Sequence, residues 1–394
     1  MKGDIVVELD EGTYCLTETF CLSGEDSGNN GHNVIYRAVE NKNVCISGGK
    51  AIENWMLEDS LFVAPVKGLK FRQIYVNGKR AIRSRTPNAG DYYKTKLWDL
   101  ENKKLMIDAN YIKKMKDIYK LEMVMLMKSA DAYLRINDMV LPTDSLPFEW
   151  LPRYAAIRFC EPEQEMLYNR ALASKVDDIP FYFENSLEFI DQPGEWHLDQ
   201  LNEKLYYKPR DGETIHNLEV VAPYLETLVQ IKGALGNPAR NIQFKGLQFM
   251  HTTWLRPDNK GNLTYLAGQY VSGANGSNQL LVSRPPAAVQ INMANNIVIE
   301  KNIFMHLGAT ALDIQYGAGH NTVAGNLIQD VSGNGISIAR SSCPKPEMFA
   351  NQIPATGMET ERHNLISNNY ITPHWHRFFW VGWHIGRLCK QCYH

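Results

Sequence analysis

Residues 296–306 read NIVIEKNIFMH, and this phrase decides the fold because it returns three times in the second half of the chain. Related stretches begin at Asn241 (NIQFKGLQFMH), Asn321 (NTVAGNLIQD) and Asn364 (NLISNNYIT). Each opens with Asn, which suits a turn and can stack in a hydrogen-bonded ladder, and then alternates apolar and polar residues. A repeat of about 25 residues with strand-like alternation is typical of stacked β-coils. The sequence therefore predicts an all-β fold, a right-handed parallel β-helix.

The composition limits the partners of the protein. The 394 residues include 41 Lys and Arg against 43 Asp and Glu, so no basic footprint for nucleic acid or an anionic membrane is present. No run of apolar residues is long enough to predict a membrane span. The 7 scattered Cys form no close-spaced framework, which argues against a disulfide scaffold. Neither nucleic acid nor a membrane is a predicted partner.

A region of different character interrupts the repeats. From about Trp55 to Glu213 the sequence predicts a helix near 109–120, a Met-rich strand in LEMVMLMKS, and a hairpin in GEWHLDQLNEKLYYKPRDGE. Solenoids accept insertions at their turns because only neighbouring coils are in contact. The predicted organisation is β-helix coils at 1–54, an inserted mainly-β domain at 55–215, coils with the putative active site at 216–372, and an aberrant tail at 373–394.

The tail, PHWHRFFWVGWHIGRLCKQCYH, lacks the repeat pattern. The pair His374 and His376 and the pair Cys389 and Cys392 are of zinc-ligand types. A single CxxC beside an HxH, without loop or strand patterning, favours instead a shift of reading frame near Pro373. No metal and no other cofactor is predicted. At the other end a strand pattern follows Met1 at once, so no signal peptide is predicted and the chain is expected to be truncated at both ends.

Several longer motifs carry a family resemblance. These are FRQIYVNGKRAIRSRTPN from Phe71, ENSLEFIDQPGEWHLD from Glu184, HTTW from His251, PAAVQINMANNIVIEKNIFMHLGATALDIQYG from Pro286, and IQDVSGNG from Ile328. Together they resemble glycoside hydrolase family 141, whose members are β-helix proteins of the pectin-lyase type with a family-specific insertion domain. The resemblance implies a polysaccharide or oligosaccharide substrate from plant cell walls, with fucosidase or xylanase activity. It also implies an extracellular or periplasmic location for the full-length protein, which we expect to be a monomer.

Aligning the repeats on one another predicts a column of polar side chains. The two longest phrases align without a gap and place His251 over His306. Aligning Asn302 on Asn326 then places His306 over Asp330, and it places Asp313 over Ser337. Adjacent strands lie about 4.8 Å apart, so these side chains would be close neighbours. Stacked ionisable groups are costly when buried, and a cleft is the expected environment.

Asp313 and Asp330 are the predicted catalytic pair. Glycoside cleavage needs one carboxyl group that donates a proton and one that is ionised. Asp313 lies in the apolar strand ALDIQYG, where burial would raise its pKa and suit the acid, whereas Asp330 precedes the open turn SGNG and would stay ionised. The reverse assignment stays open. So do the structural interpretations, in which Asp330 only forms a turn and Asp313 is satisfied within its coil.

Five further residues are candidates for binding the sugar: His251, His306, Gln315, Tyr316 and Asn334. The two histidines fit packing and hydrogen bonding inside the fold better than a catalytic role. Tyr316 precedes Gly317 and is also compatible with closing a turn.

Three other functions compete with a hydrolase. A polysaccharide lyase on the same fold would use calcium and a basic residue, although the repeats contain no tight acidic cluster. A non-catalytic carbohydrate-binding β-helix would tolerate loss of both aspartates. The chain as written is also compatible with an inactive remnant of a hydrolase.

Overall fold

The computed structural model describes residues 1–113, 115–116, 118, 120–127, 130–140, 153–168, 178–258, 265–266, 269–274, 280–338 and 360–372. These residues fall into two compact units. The coil unit contains Met1–Ala51, Val221–Trp254 and the residues from Ser283 onward, and the inserted unit contains Ile52–Val220 and Leu255–Val282. Within the described residues, no helix is long and apolar enough to cross a membrane. The predicted tail at 373–394 lies outside them.

The coil unit is built from three parallel sheets, to which successive passes of the chain, here called coils, contribute strands. The first sheet contains Ile5–Leu9, Val34–Ala38, Ile242–Lys245, Val298–Glu300, Thr322–Ala324 and Leu365–Ser367. The second contains Gly12–Cys15, Val44–Ser47, Gln248–Met250, Ile303–Met305, Leu327–Ile328 and Tyr370–Ile371. The third contains Phe20–Leu22, Val229–Lys232, Ala287–Asn292, Thr310–Ile314 and Ile336–Ile338. A short parallel pair joins Ala239–Arg240 to Ala294–Asn295, and Gly24–Asp26 is a 3-10 turn.

Alternation along each strand places apolar side chains in registered columns between the sheets. In the second sheet Phe249 lies opposite Phe304, with ring centroids 5.1 Å apart, and Phe304 lies opposite Ile328. In the first sheet Phe244 stacks on Tyr36 at 5.0 Å. One coil cannot cover its own apolar face, and the stacked coils form one continuous core.

Asparagine side chains form hydrogen bonds to backbone groups of neighbouring coils at two corners, one that contains Asn326 and one that contains Asn321. Asn326 Oδ1 accepts from the amide of Asn302 at 2.9 Å, and its Nδ2 donates to the carbonyl of Ile299 at 2.9 Å. Asn302 and Asn369 occupy the equivalent position on the coils to either side. Each side chain satisfies backbone groups at a corner where the strand ladder is interrupted, which is why asparagine is favoured there.

The sequence analysis predicts that the asparagines that open the repeated phrases lie above one another. This register is wrong by one residue for the phrase that begins at Asn321. Asn321 is in register with Ile297, whose amide donates to Asn321 Oδ1 at 2.9 Å, and His320 occupies the position equivalent to Asn296. Asn241, Asn296 and His320 all have positive φ, at 57°, 56° and 59°. Histidine and asparagine both tolerate this left-handed conformation, so the opening letter of the phrase does not fix its phase.

The inserted unit is mainly antiparallel. A five-stranded sheet contains Ile82–Arg83, Glu195–Asp199, Lys204–Tyr207, Leu61–Pro65 and Met56–Glu58. A larger sheet contains Arg85–Thr86, Tyr93–Asp99, Lys104–Asp108, Glu122–Met127, Ala130–Val140, Tyr154–Phe159, Pro180–Glu184, Tyr265–Leu266, Gln269–Ala274 and Leu280–Ser283. The remaining elements are the hairpin Tyr75–Val76 and Lys79–Arg80, the helix Glu163–Tyr168, and two 3-10 turns at Ala109–Tyr111 and Leu187–Phe189. The strands Gly49–Ile52 and Val220–Pro223 each include residues of both units, because the unit boundaries fall at 51–52 and 220–221.

Two predictions about this unit are confirmed and two need correction. The Met-rich strand is Glu122–Met127, and the hairpin pairs Glu195–Asp199 with Lys204–Tyr207. The predicted helix near 109–120 is only a 3-10 turn, because the described residues beyond Ala109–Tyr111 form single turns whose apolar side chains pack on the core. The segment Leu255–Val282, assigned above to the coils, groups with the inserted unit, since Tyr265 pairs with Asp131 of a long inserted strand.

Candidate active site

His251, His306 and Asp330 form a column at the corner that follows the second sheet, as the alignment of the repeats predicts. The amide of His251 donates to the carbonyl of His306 at 3.1 Å, and Leu307 donates to the carbonyl of Asp330 at 3.0 Å. All three corner residues have positive φ, at 61°, 59° and 48°. The same left-handed backbone turns the chain on each coil, so the three side chains leave the corner in the same direction.

Side-chain contacts run along this corner column. Ser47 Oγ lies 2.9 Å from Nδ1 of His251, and the rings of His251 and His306 stack at 5.6 Å. Nδ1 of His306 lies 2.6 Å from Oδ2 of Asp330. The column therefore joins four coils through a hydroxyl, two imidazoles and a carboxylate.

The two histidines of the column have different electrostatic environments. The pKa of His251 is lowered to about 3, mainly because the ring is buried and also because His306 lies beside it, while Asp330 opposes the shift. His251 is therefore neutral near pH 7. His306 shares its Nδ1 contact with a carboxylate, so this pair can hold a proton between two titratable groups.

Small residues follow His306 because another coil passes close to them. A Cβ atom on Gly308 would lie 2.5 Å from Cα of Thr253. The Gly308 amide also donates to Oγ1 of Thr252 at 3.2 Å. Position 308 therefore has no room for a side chain, and glycine is required there. The segment LGATA leads the chain from the corner into the third-sheet strand Thr310–Ile314.

Asp313 lies in that third-sheet strand, opposite Gln290 on one side and Ser337 on the other. Its flanking residues Leu312 and Ile314 belong to the core, so the side chain of Asp313 projects to the other face of the sheet. It is 1% exposed. The predicted register of Asp313 over Ser337 is confirmed.

Asp313 is buried in an apolar strand, as predicted, but its carboxylate also has a charged partner that the sequence analysis did not foresee. The guanidinium of Arg284 forms a two-pronged ion pair with the carboxylate, with Nε 2.9 Å from Oδ2 and Nη2 in contact with Oδ1. Gln315 Nε2 donates to Oδ2 at 2.6 Å. A guanidinium and a donating carboxamide favour the ionised carboxylate, so burial alone does not decide the protonation of Asp313.

The other predicted residues take different positions. Gln315 contacts Asp313 as described, whereas the backbone carbonyl of Tyr316 accepts from the amide of Met293 at 2.8 Å. Nδ2 of Asn334 donates to Oγ of Ser337 at 2.9 Å, which leaves its Oδ1 buried without a hydrogen-bond partner among the described residues. Thr310 and Ser332 also have a buried hydroxyl with no such partner in the described part of the chain. These oxygens are able to bind further polar groups.

Sequence reasoning missed Arg284 and Ser47. Arg284 lies 29 residues before Asp313, and Ser47 lies 204 residues before His251. Ser47 ends the strand VCIS and pairs with Met250, the residue before His251, so aligning this strand with the repeated phrases could have identified it. Arg284 lies outside every repeated phrase, and no such alignment includes it.

An all-β fold of stacked parallel sheets with two carboxyl groups on neighbouring coils is compatible with a carbohydrate-active enzyme, and the comparisons agree. A solved structure titled "Glycoside hydrolase" aligns at a TM-score of 0.85 and 31% identity. The alignment covers 94% of this chain and 66% of that chain, so this chain spans somewhat less than two thirds of the length of its relative.

Residues 55–210 match the model of the GH141 insertion domain. The inserted unit is thus similar to the insertion domain of glycoside hydrolase family 141, and the resemblance predicted from the sequence is confirmed. A second structure, titled "The complex structure of XylC with xylose", aligns over 92% of this chain and 48% of that chain, at 12% identity and a TM-score of 0.38. No curated protein matches the sequence.

Proposed function

We propose that the protein is a glycoside hydrolase of the right-handed parallel β-helix type that acts on plant cell-wall polysaccharide, either a pectic fucoside or a xylan. Asp313 and Asp330 are its two catalytic carboxyl groups. A polymeric substrate of this kind is consistent with an extracellular or periplasmic location, and a single chain supplies both carboxyl groups.

The observation that carries this proposal is the different environment of the two carboxyl groups on neighbouring coils. Asp313 contacts a guanidinium, and Asp330 contacts an imidazole. Glycoside hydrolysis requires two such groups, because one must give a proton while the other is ionised. The likeness to a glycoside hydrolase structure and to the GH141 insertion domain supports the same reaction class.

The reaction adds water across the glycosidic C–O bond. One carboxyl group protonates the leaving oxygen, and the other either removes a proton from water or attacks the anomeric carbon before water replaces it. The proton lost by water restores the acid, so no other reactant is consumed. Carboxamides near Asp313, those of Gln290, Gln315 and Asn334, are suited to bind sugar hydroxyl groups.

The test is hydrolysis of a panel of fucosylated pectic fragments and xylans by the purified protein and by Asp313→Asn and Asp330→Asn. Each variant is expected to lose at least about 10²-fold in kcat/KM while substrate binding persists. Glu300→Gln is the matched control, since Glu300 lies on the first sheet in a partly exposed pair with Lys245 and should leave activity unchanged.

Other outcomes would replace the proposal. An unsaturated sugar product whose formation stops on chelation would indicate a calcium-dependent lyase. Oligosaccharide binding without turnover by the wild type, and unaltered in both aspartate variants, would indicate a carbohydrate-binding protein.

A further inference from the structure

We propose that Arg284 is the positioning residue that fixes Asp313 as the ionised member of the catalytic pair, so that Asp330 together with His306 supplies the proton. This reverses the assignment of roles favoured by the sequence. It rests on the proposed function for its catalytic meaning, but the charge of Asp313 is measurable without a substrate.

The contact between Arg284 and Asp313 is buried and two-pronged. The side chains of Arg284 and Asp313 are only 10% and 2% exposed. Nε and Nη2 of the guanidinium each meet a different carboxylate oxygen. A planar fork on a carboxylate fixes both its orientation and its charge, because an arginine does not lose its proton in proteins.

The remaining partners of Asp313 act in the same direction. Oδ2 also accepts from Gln315, and the register partners on the two neighbouring strands, Gln290 and Ser337, are uncharged. Within the described contacts, the charge that faces this carboxylate is therefore the guanidinium. A protonated Asp313 would place a hydroxyl against donors, which have no lone pair to accept it.

Asp330 has a partner that can carry a proton. Its Oδ2 lies 2.6 Å from Nδ1 of His306, and an imidazole nitrogen can either donate or accept. Behind His306, the stacked ring of His251 lies against Ser47 and is neutral. This contact allows Asp330 and His306 to share a proton, and in the proposed scheme that proton passes to the leaving oxygen.

These environments order the steps of hydrolysis. The Asp330–His306 pair gives its proton to the leaving oxygen, and Asp313 takes a proton from water or bonds to the anomeric carbon. If Asp313 takes the proton, the hydroxyl goes to the product, Asp313 then releases the proton to solvent and the pair regains one from solvent. If Asp313 bonds to the anomeric carbon, water displaces it, gives its hydroxyl to the product and gives its proton to the pair. Arg284 touches neither substrate nor water in this scheme and acts only through Asp313.

The experiment combines carboxyl NMR titration of ¹³C-labelled aspartate with pH–rate profiles for the wild type, Arg284→Met, Arg284→Lys and Gln315→Met. In the wild type, Asp313, assigned by its absence in Asp313→Asn, should titrate below the ordinary value of about 3.9. Arg284→Met should move that titration up by about one unit or more, and the acidic limb of kcat/KM should move up with it. Arg284→Lys should show a smaller shift because it keeps the charge without the fork. Gln315→Met should also raise the titration of Asp313 by less than Arg284→Met does, because it removes a neutral donor and leaves the guanidinium in place.

The outcomes separate this inference from the proposed function. An Asp313 titration that Arg284→Met leaves in place would overturn the inference even if both aspartates prove essential. A titration that moves while the acidic limb stays fixed would overturn the assignment of roles. A wild type without hydrolytic activity would overturn the proposed function, and the titration alone would still decide whether Arg284 controls the charge of Asp313.

Discussion

The two units of this protein bury charge in different ways. In the inserted unit, Arg72 and Arg83 each contact both Glu122 and Glu184, with distances that include 2.7 Å from Arg72 to Glu122 and 2.6 Å from Arg83 to Glu184. All four side chains are at most 12% exposed. In the coil unit, among the described residues, the Asp313 carboxylate pairs with Arg284, and its register partners Gln290 and Ser337 are uncharged.

This difference teaches that burial of a charged group does not by itself identify an active site. In the inserted cluster two positive charges match two negative charges, and burial raises the pKa of Glu122 while Arg72 and Arg83 outweigh it and hold the pKa far below its usual range. Removal of either partner would leave an uncompensated buried charge, so the four groups depend on one another, although Nε of Arg72 and Nε of Arg83 have no hydrogen-bond partner among the described residues. At the coil site, by contrast, one carboxylate pairs with a guanidinium and the other with an imidazole, which is able to give or take a proton.

The largest expected effect is the loss of one carboxylate from the inserted cluster. Glu122→Gln leaves two buried guanidiniums with one carboxylate, and it should reduce the free energy of unfolding by about 3–5 kcal/mol. Urea denaturation measures the loss, and amide exchange of Glu122–Met127 locates it. Because the folded pKa of Glu122 lies below its unfolded value of about 4.3, its contribution is present above that pH and is lost as the pH falls. A wild-type stability equal to that of the variant at pH 7 would contradict the structural role of the cluster.

A smaller effect is expected from the asparagine ladder. Asn326→Ala removes the bonds to Asn302 and Ile299 and leaves their buried backbone groups unpaired, so it should cost about 2–3 kcal/mol. Asn296→Gly is the matched control, since Asn296 is exposed and glycine preserves its positive φ. Equal losses in the two variants would mean that the ladder does not connect the coils as described.

The corner column should make stability depend on pH. The pKa of His251 is about 3 when folded against 6.5 in the unfolded chain, so the unfolded state binds more protons between these values and stability rises with pH. From pH 6.5 to pH 5 the difference should be about 1.5 kcal/mol. His251→Asn tolerates the positive φ and cannot titrate, so the difference between its stability profile and that of the wild type isolates this residue. Parallel profiles would show that His251 is not buried as a neutral ring.

The smallest effect is expected from the partly exposed ion pair between Lys245 and Glu300 on the first sheet. Lys245 and Glu300 lie 3.2 Å apart with side chains 37% and 35% exposed. Glu300→Gln should change the free energy of unfolding by less than about 1 kcal/mol, and less again at high salt. A larger loss would show that the exposed fraction of the two side chains does not predict how much an ion pair contributes to the free energy of unfolding in this fold.

Much of the coil unit could be predicted because its contacts are local in the repeat. The phrases at Asn241 and Asn296 have equal length, and the pairing of Gln248–Met250 with Ile303–Met305 follows from them directly. The phase of the Asn321 phrase could not be read in the same way. The left-handed corner accepts histidine as readily as asparagine, and only the hydrogen bond from Ile297 shows which residue enters the ladder.

The sequence by itself determined the alternation of the strands, the stacking of the corner residues and the presence of an inserted unit, since each is encoded in spacing along the chain. The tertiary structure alone decided the charge of the site. Asp313 reads as a carboxyl in an apolar strand, but Arg284 reaches it from outside the repeat, and Ser47 reaches His251 from the far end of the chain. An ionisable group responds to whatever lies within a few ångströms, and sequence spacing does not record that neighbourhood.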